Sequence, residues 1–136
     1  MDYNKPFNFL KKLPPKLNSF YKTKSKSGLV VSNKSKSKKN FDPVTNFDRA
    51  FEKYIRSLIN KKFPKDSIIG EEFEDKFSSN NYKWSIDPID GTRAFVIGAP
   101  TWSNLIIILI FIIILMKEYF SRDKMSFYLM MPYLAW

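Results

Sequence analysis

Cysteine and histidine are both absent from this chain of 136 residues. Without cysteine there is no disulfide framework, no zinc–thiolate centre and no thiol nucleophile. Without histidine, the usual general base and the commonest transition-metal ligand are missing as well. Any catalysis must therefore run on carboxylates, hydroxyls, lysines and hard metal ions. The N-terminus lacks the order of a secretory signal, because no compact apolar run follows Lys5 and Pro14–Pro15 interrupts the segment. A cytoplasmic location is expected. No apolar run reaches the about 20 residues of a membrane span. The longest, residues 105–116 (LIIILIFIIILM), is rich in β-branched residues and reads as a buried strand.

What is present is uneven. The formal charge is +10, and residues 1–39 hold eleven lysines against one acid, Asp2. Clustered lysines suit nucleic acid, but Lys, Ile, Asn, Phe and Tyr are frequent throughout, which is a bias of the whole chain. No nucleic-acid partner is expected. Residues 1–28 have roughly helical apolar spacing that Pro14 and Pro15 should break, giving a poor helix. A short strand is predicted at residues 28–32 and a lysine-rich loop at 33–40. The clearest helix spans residues 46–62, with Asn46 as its N-cap. Its apolar stripe runs from Phe47 to Ile59, with Arg49, Lys53 and Arg56 on the other side. Strands follow at residues 67–70 and 83–87. Pro88 should end the second, and Asp90-Gly91-Thr92 should turn into a helix start.

Carboxylates gather at these strand ends. Glu71 follows SIIG, Asp87 ends KWSI, and Asp90 lies three residues on. Mg²⁺ prefers oxygen ligands, usually one or two carboxylates with substrate phosphate and water. Rigid strand ends with exposed tips suit such a site. Gly91 and Thr92 offer backbone N–H groups for a phosphate, and the Thr92 hydroxyl can orient a water. Each piece alone also has a bland reading: DPID as a surface turn, and DPVTNFD as a capped helix start in which Asp42 and Thr45 serve backbone donors and Asp48 favours the helix N-terminus.

Three motifs, FDPVTNFDRAFE (residues 41–52), IIGEEF (68–73) and WSIDPIDGTRAF (84–95), together resemble the inositol monophosphatase family, over about residues 33–105. The resemblance implies an α+β chain carrying the N-terminal part of a layered αβαβα fold, and Mg²⁺-dependent hydrolysis of a small phosphorylated metabolite. It implies that Glu71, Asp87 and Asp90 ligate metal, with the carbonyl of Ile89. It also implies that Thr92, paired with Asp48, activates the attacking water, and that the N–H groups of Gly91 and Thr92 hold the phosphate. Members use a lysine upstream of the DPVT-like motif, for which Lys34 and Lys36 are both candidates. Intact relatives are commonly homodimers.

Arg93, Ala94 and Trp102 resemble the histidinol-phosphatase branch, which implies histidinol phosphate as substrate and a step of histidine biosynthesis. Inositol phosphates or nucleotide bisphosphates are the alternatives within the fold. Outside it, the alternatives are an inactive fragment, a basic nucleic-acid-binding module or a small membrane-associated protein. The resemblance fades near Ile106, and Asp123 is the only aspartate in residues 107–136. The chain thus divides into a basic segment (1–40), an incomplete metal-binding core (41–105) and an apolar and basic tail (106–136). The tail is expected to reflect truncation or a frame shift, and the isolated chain to have little or no activity.

Overall fold

A computed structural model of the chain describes residues 4–35, 41–80 and 82–108. In order, the elements are α1 (Asn4–Lys11), α2 (Leu13–Lys24), β1 (Val31–Asn33), β2 (Pro43–Thr45), α3 (Asn46–Lys62), β3 (Ser67–Gly70), β4 (Lys83–Asp90), α4 (Thr92–Val96) and β5 (Ser103–Ile108). β1 and β2 form an antiparallel ribbon, and β3–β4–β5 form a mixed sheet.

α3 forms because its apolar positions recur with the helical period and its first turn is capped. Phe47, Phe51, Ile55 and Ile59 are buried. The cap is Thr45, not Asn46. The Thr45 hydroxyl accepts from the N–H groups of Phe47 and Asp48, and Asp48 closes the capping box by accepting from Thr45 N–H at 2.7 Å. Asn46 instead ties down the preceding chain, accepting from Val30 N–H at 2.9 Å and donating to the Gly28 carbonyl at 3.1 Å.

The N-terminal segment is two helices rather than one poor helix. Pro14 and Pro15 fall in the first turn of α2, where a missing N–H costs no hydrogen bond. Both helices contribute to the core. Phe9 meets Trp84 and Phe63 edge-on at 5.3 Å, and Phe20 stacks on Tyr54 at 4.4 Å. β1 is Val31–Asn33, shifted from the predicted 28–32.

The sheet sets up the chemistry. β3 and β4 run parallel, so Gly70 and Asp90 close neighbouring strands at the same end. β4 passes through Pro88 instead of stopping before it. Its pairing with β5 slips between Asp87 and Asp90, where three steps on β4 match two on β5 (Asp87 with Leu105, Asp90 with Ser103). This bulge tolerates a proline, whose carbonyl accepts from the Asn104 amide. It also resets the alternation of a strand. Trp84, Ile86 and Ile89 all enter the core, while Asp87 and Asp90, three apart, come close enough for their charges to interact. Of the predicted strand 105–116, residues 105–108 belong to β5, with Leu105 and Ile106 half-buried, and 109–116 lie outside the described residues.

Candidate active site

The carboxylates stand at the carboxyl ends of two parallel strands, the usual place for ligand sites in such sheets. Glu71 follows β3 directly, and Asp87 and Asp90 lie in the last four residues of β4. Asp87 is buried at 8% exposure, and its Oδ1 has no hydrogen-bond partner among the described residues. Burial, then the charge and hydrogen bond of Glu71, then the charge of Asp90, push the Asp87 carboxyl up to about 7; the Ile89 N–H works the other way. A buried, unpartnered carboxylate oxygen beside two more carboxylates lacks a positive charge.

Lys34 brings a positive charge to two of the neighbouring acids, Glu71 and Glu72. Its ammonium donates to Glu71 Oε1 at 2.9 Å and to Glu72 Oε1. Burial opposes the charge on Lys34, but the hydrogen bonds and charges of Glu72 and Glu71 outweigh it and raise the pKa. Glu72, with a side chain only 3% exposed, is also raised, because burial outweighs what Lys34 gives back. Lys34 therefore meets the acidic site; Lys36 lies outside the described residues.

Asp48 and Thr92 also meet. The Thr92 hydroxyl lies 3.3 Å from Asp48 Oδ1 and 3.0 Å from the Ile89 carbonyl, either of which can accept its proton. Asp48 Oδ2 is committed to Thr45, accepting from its hydroxyl at 2.5 Å and from its N–H. The bland and functional readings of Asp48 thus coexist, one oxygen for each. Gly91 adopts φ +89° before α4, and a Cβ there would lie 3.0 Å from the Thr101 carbonyl. Both conformation and space require glycine.

The donor set fits a hard cation: carboxylate and carbonyl oxygens, with an orphaned oxygen on Asp87. No three acids among the described residues are arranged to hold an ion as they stand, and Glu71 is engaged by Lys34. A cleft of about 430 Å³ lined by Leu17, Tyr21, Phe51 and Trp102 contains none of these carboxylates. Arg93 donates to the Phe41 carbonyl at 2.5 Å, tying α4 to the chain two residues before β2. Trp102 packs edge-on against Phe95 at 4.8 Å.

Two residues escaped the sequence reading. Glu52 is fully buried, and Arg56, placed there on the outer side of α3, is only 14% exposed and paired with it at 2.7 Å. The signal available was an acid four residues before an arginine on one helix.

The model of the inositol monophosphatase family matches residues 12–110, a wider stretch than the motifs. Over 70 residues the chain is 49% identical to a histidinol-phosphatase from Chlorobaculum parvum, covering 52% of this chain and 27% of that one. A histidinol-phosphatase from Mycobacterium tuberculosis is 42% identical over 72 residues, covering 53% and 28%. The chain thus spans little more than a quarter of these relatives' length. Among solved structures, an IMPase/NADP phosphatase complexed with Mg²⁺ and phosphate matches with a TM-score of 0.60 at 20% identity, over 73% of this chain and 38% of that one, a likeness of fold.

Proposed function

Because the chain belongs to the inositol monophosphatase family, we propose that its acidic site binds Mg²⁺ and serves the hydrolysis of a small phosphate monoester, histidinol phosphate. The observation that carries this is the buried Asp87 oxygen, unpartnered among the described residues and beside Glu71 and Asp90. Glu71, Asp87, Asp90 and the Ile89 carbonyl would hold the ion; the carbonyl has a second lone pair beyond the one Thr92 uses. When bound, Mg²⁺ neutralises phosphate charge and makes a water more acidic.

The remaining steps belong to the chain. Thr92 can accept a hydrogen bond from a water while donating its own proton toward Asp48 Oδ1, 3.3 Å away. The pair thereby orients the water and draws its proton toward a carboxylate. The N–H groups of Gly91 and Thr92, at the start of α4, would face the phosphate. Support for histidinol phosphate comes from the relatives' names and from the sequence Arg93, Ala94 and Trp102. Arg93 is held by the Phe41 carbonyl and Trp102 by the Phe95 ring, on the chain that follows Thr92.

The test compares histidinol phosphate, inositol 1-phosphate and a nucleotide 3′,5′-bisphosphate, each with Mg²⁺ and with a chelator. Phosphate release is measured directly, and Mg²⁺-dependent thermal stabilisation reads preference where turnover is slow. Histidinol phosphate should rank first, with the effect lost in Asp90→Asn. Metal-independent release, or a first rank for inositol phosphate, would contradict the reading.

A further inference from the structure

Lys34 holds the Glu71 carboxylate, but the backbone of Glu71 lies outside the sheet. It sits one residue past the end of β3, in a turn whose side chains Glu71 and Phe73 are exposed. Beneath that turn lies a charged pair from another element. Glu52 Oε1 accepts from Arg56 Nε at 2.7 Å, and Glu52 Oε2 accepts from the Glu72 N–H at 2.7 Å. Arg56 Nη2 donates to the Phe73 carbonyl at 3.0 Å. A Cβ at Gly70 would lie 2.1 Å from Glu52 Oε1 and 2.6 Å from Arg56 Nη2, so the backbone there rests directly on the pair. Gly70, Glu72 and Phe73 are therefore all fixed from below, and Glu71 is the residue they flank.

A carboxylate in a dry interior is costly unless paired and fully hydrogen-bonded. Here both oxygens of Glu52 are used, one by a side chain and one by the turn. Replacing the pair with apolar residues would satisfy the core but release the turn. We infer that Glu52 and Arg56 are positioning residues that fix the Glu71 carboxylate, and so set the metal affinity of the site, through the backbone of Gly70, Glu72 and Phe73. The inference rests on the proposed Mg²⁺ site.

The experiment is calorimetric titration of the full chain with Mg²⁺ alone, each variant first checked for folding by circular dichroism. Loss of a partner behind a ligand typically weakens metal binding by about 10- to 100-fold, and Glu52→Gln is expected in that range. In a Glu71→Gln background the same change should have little further effect, because its route runs through Glu71. Arg56→Lys keeps the charge beside Glu52 but loses the fork that reaches Phe73. It should show the same pattern, and it stands in should Glu52→Gln not fold. Wild-type affinity in folded Glu52→Gln or Arg56→Lys, or an undiminished loss in the Glu71→Gln background, would overturn the positioning role while leaving the site intact. Absence of Mg²⁺ binding in the wild type, with Asp87→Asn indistinguishable from it, would remove the site itself and this role with it.

Discussion

Asp87 holds a buried carboxylate where Glu71 and Asp90 already stand, and its titration reports first on that burial and then on the crowding. Its pKa lies at about 7 in the folded chain against an ordinary 3.8. The folded state thus binds this proton more tightly than the unfolded state, so the contribution to stability is complete below about pH 4 and is lost as pH rises through about 7. Metal-free chain should melt lower at pH 8 than at pH 5. Mg²⁺ should raise the melting midpoint more at pH 8, where no proton competes for the same oxygens. Asp87→Asn should flatten both dependences. Thermal melts at the two pH values, with chelator or Mg²⁺, check this, and an unchanged pH slope in Asp87→Asn would contradict it.

At the scale of elements, the small motif around Thr45 joins folding to chemistry. Thr45 caps α3 and also hydrogen-bonds Asp48, whose other oxygen faces Thr92. Thr45→Ala should cost about 1–2 kcal/mol in urea unfolding, and should loosen Asp48 at the same time. Gly70→Ala should cost about 1–3 kcal/mol by overpacking, since the new methyl would press on Glu52. The period of α3 and the strands of SIIG and KWSI were legible in the sequence, because one buried face writes a regular pattern. The cap was misplaced by one residue, since Thr45 and Asn46 are both good caps and only the backbone chooses between them. Pro14–Pro15 and Pro88 were read as stops. The first pair instead opens a helix, and Pro88 sits in a bulge, where prolines are tolerated for reasons set by pairing partners far along the chain.

For the molecule as a whole, one helical layer over β3–β4–β5 supports the acidic strand ends. Ile55 is fully buried between them. Ile55→Ala should cost about 2–5 kcal/mol of stability while leaving Mg²⁺ affinity per folded molecule unchanged, measured by chemical unfolding beside calorimetry. That separation of support from site is also why the two differed in legibility. Glu71, Asp87, Asp90, Asp48 and Thr92 stood out because their chemistry and order are unusual together. Lys34 could not be chosen over Lys36 without the fold that brings it to Glu71. The Glu52–Arg56 pair was hidden because charged residues on a helix are ordinarily solvated, and nothing local announces that a turn 20 residues away will cover them. No helix among the described residues is long and apolar enough to cross a membrane.

The central claim is that Glu71, Asp87 and Asp90 form one cation site. Paramagnetic broadening of backbone amide signals by substoichiometric Mn²⁺, displaced by excess Mg²⁺, tests it most directly. Broadening is expected to be strongest at residues 70–72 and 87–92 and at Lys34 and Asp48, which adjoin the site, and to be lost there in Asp87→Asn. Broadening no stronger at these residues than elsewhere in the chain, or unchanged in Asp87→Asn, would contradict it.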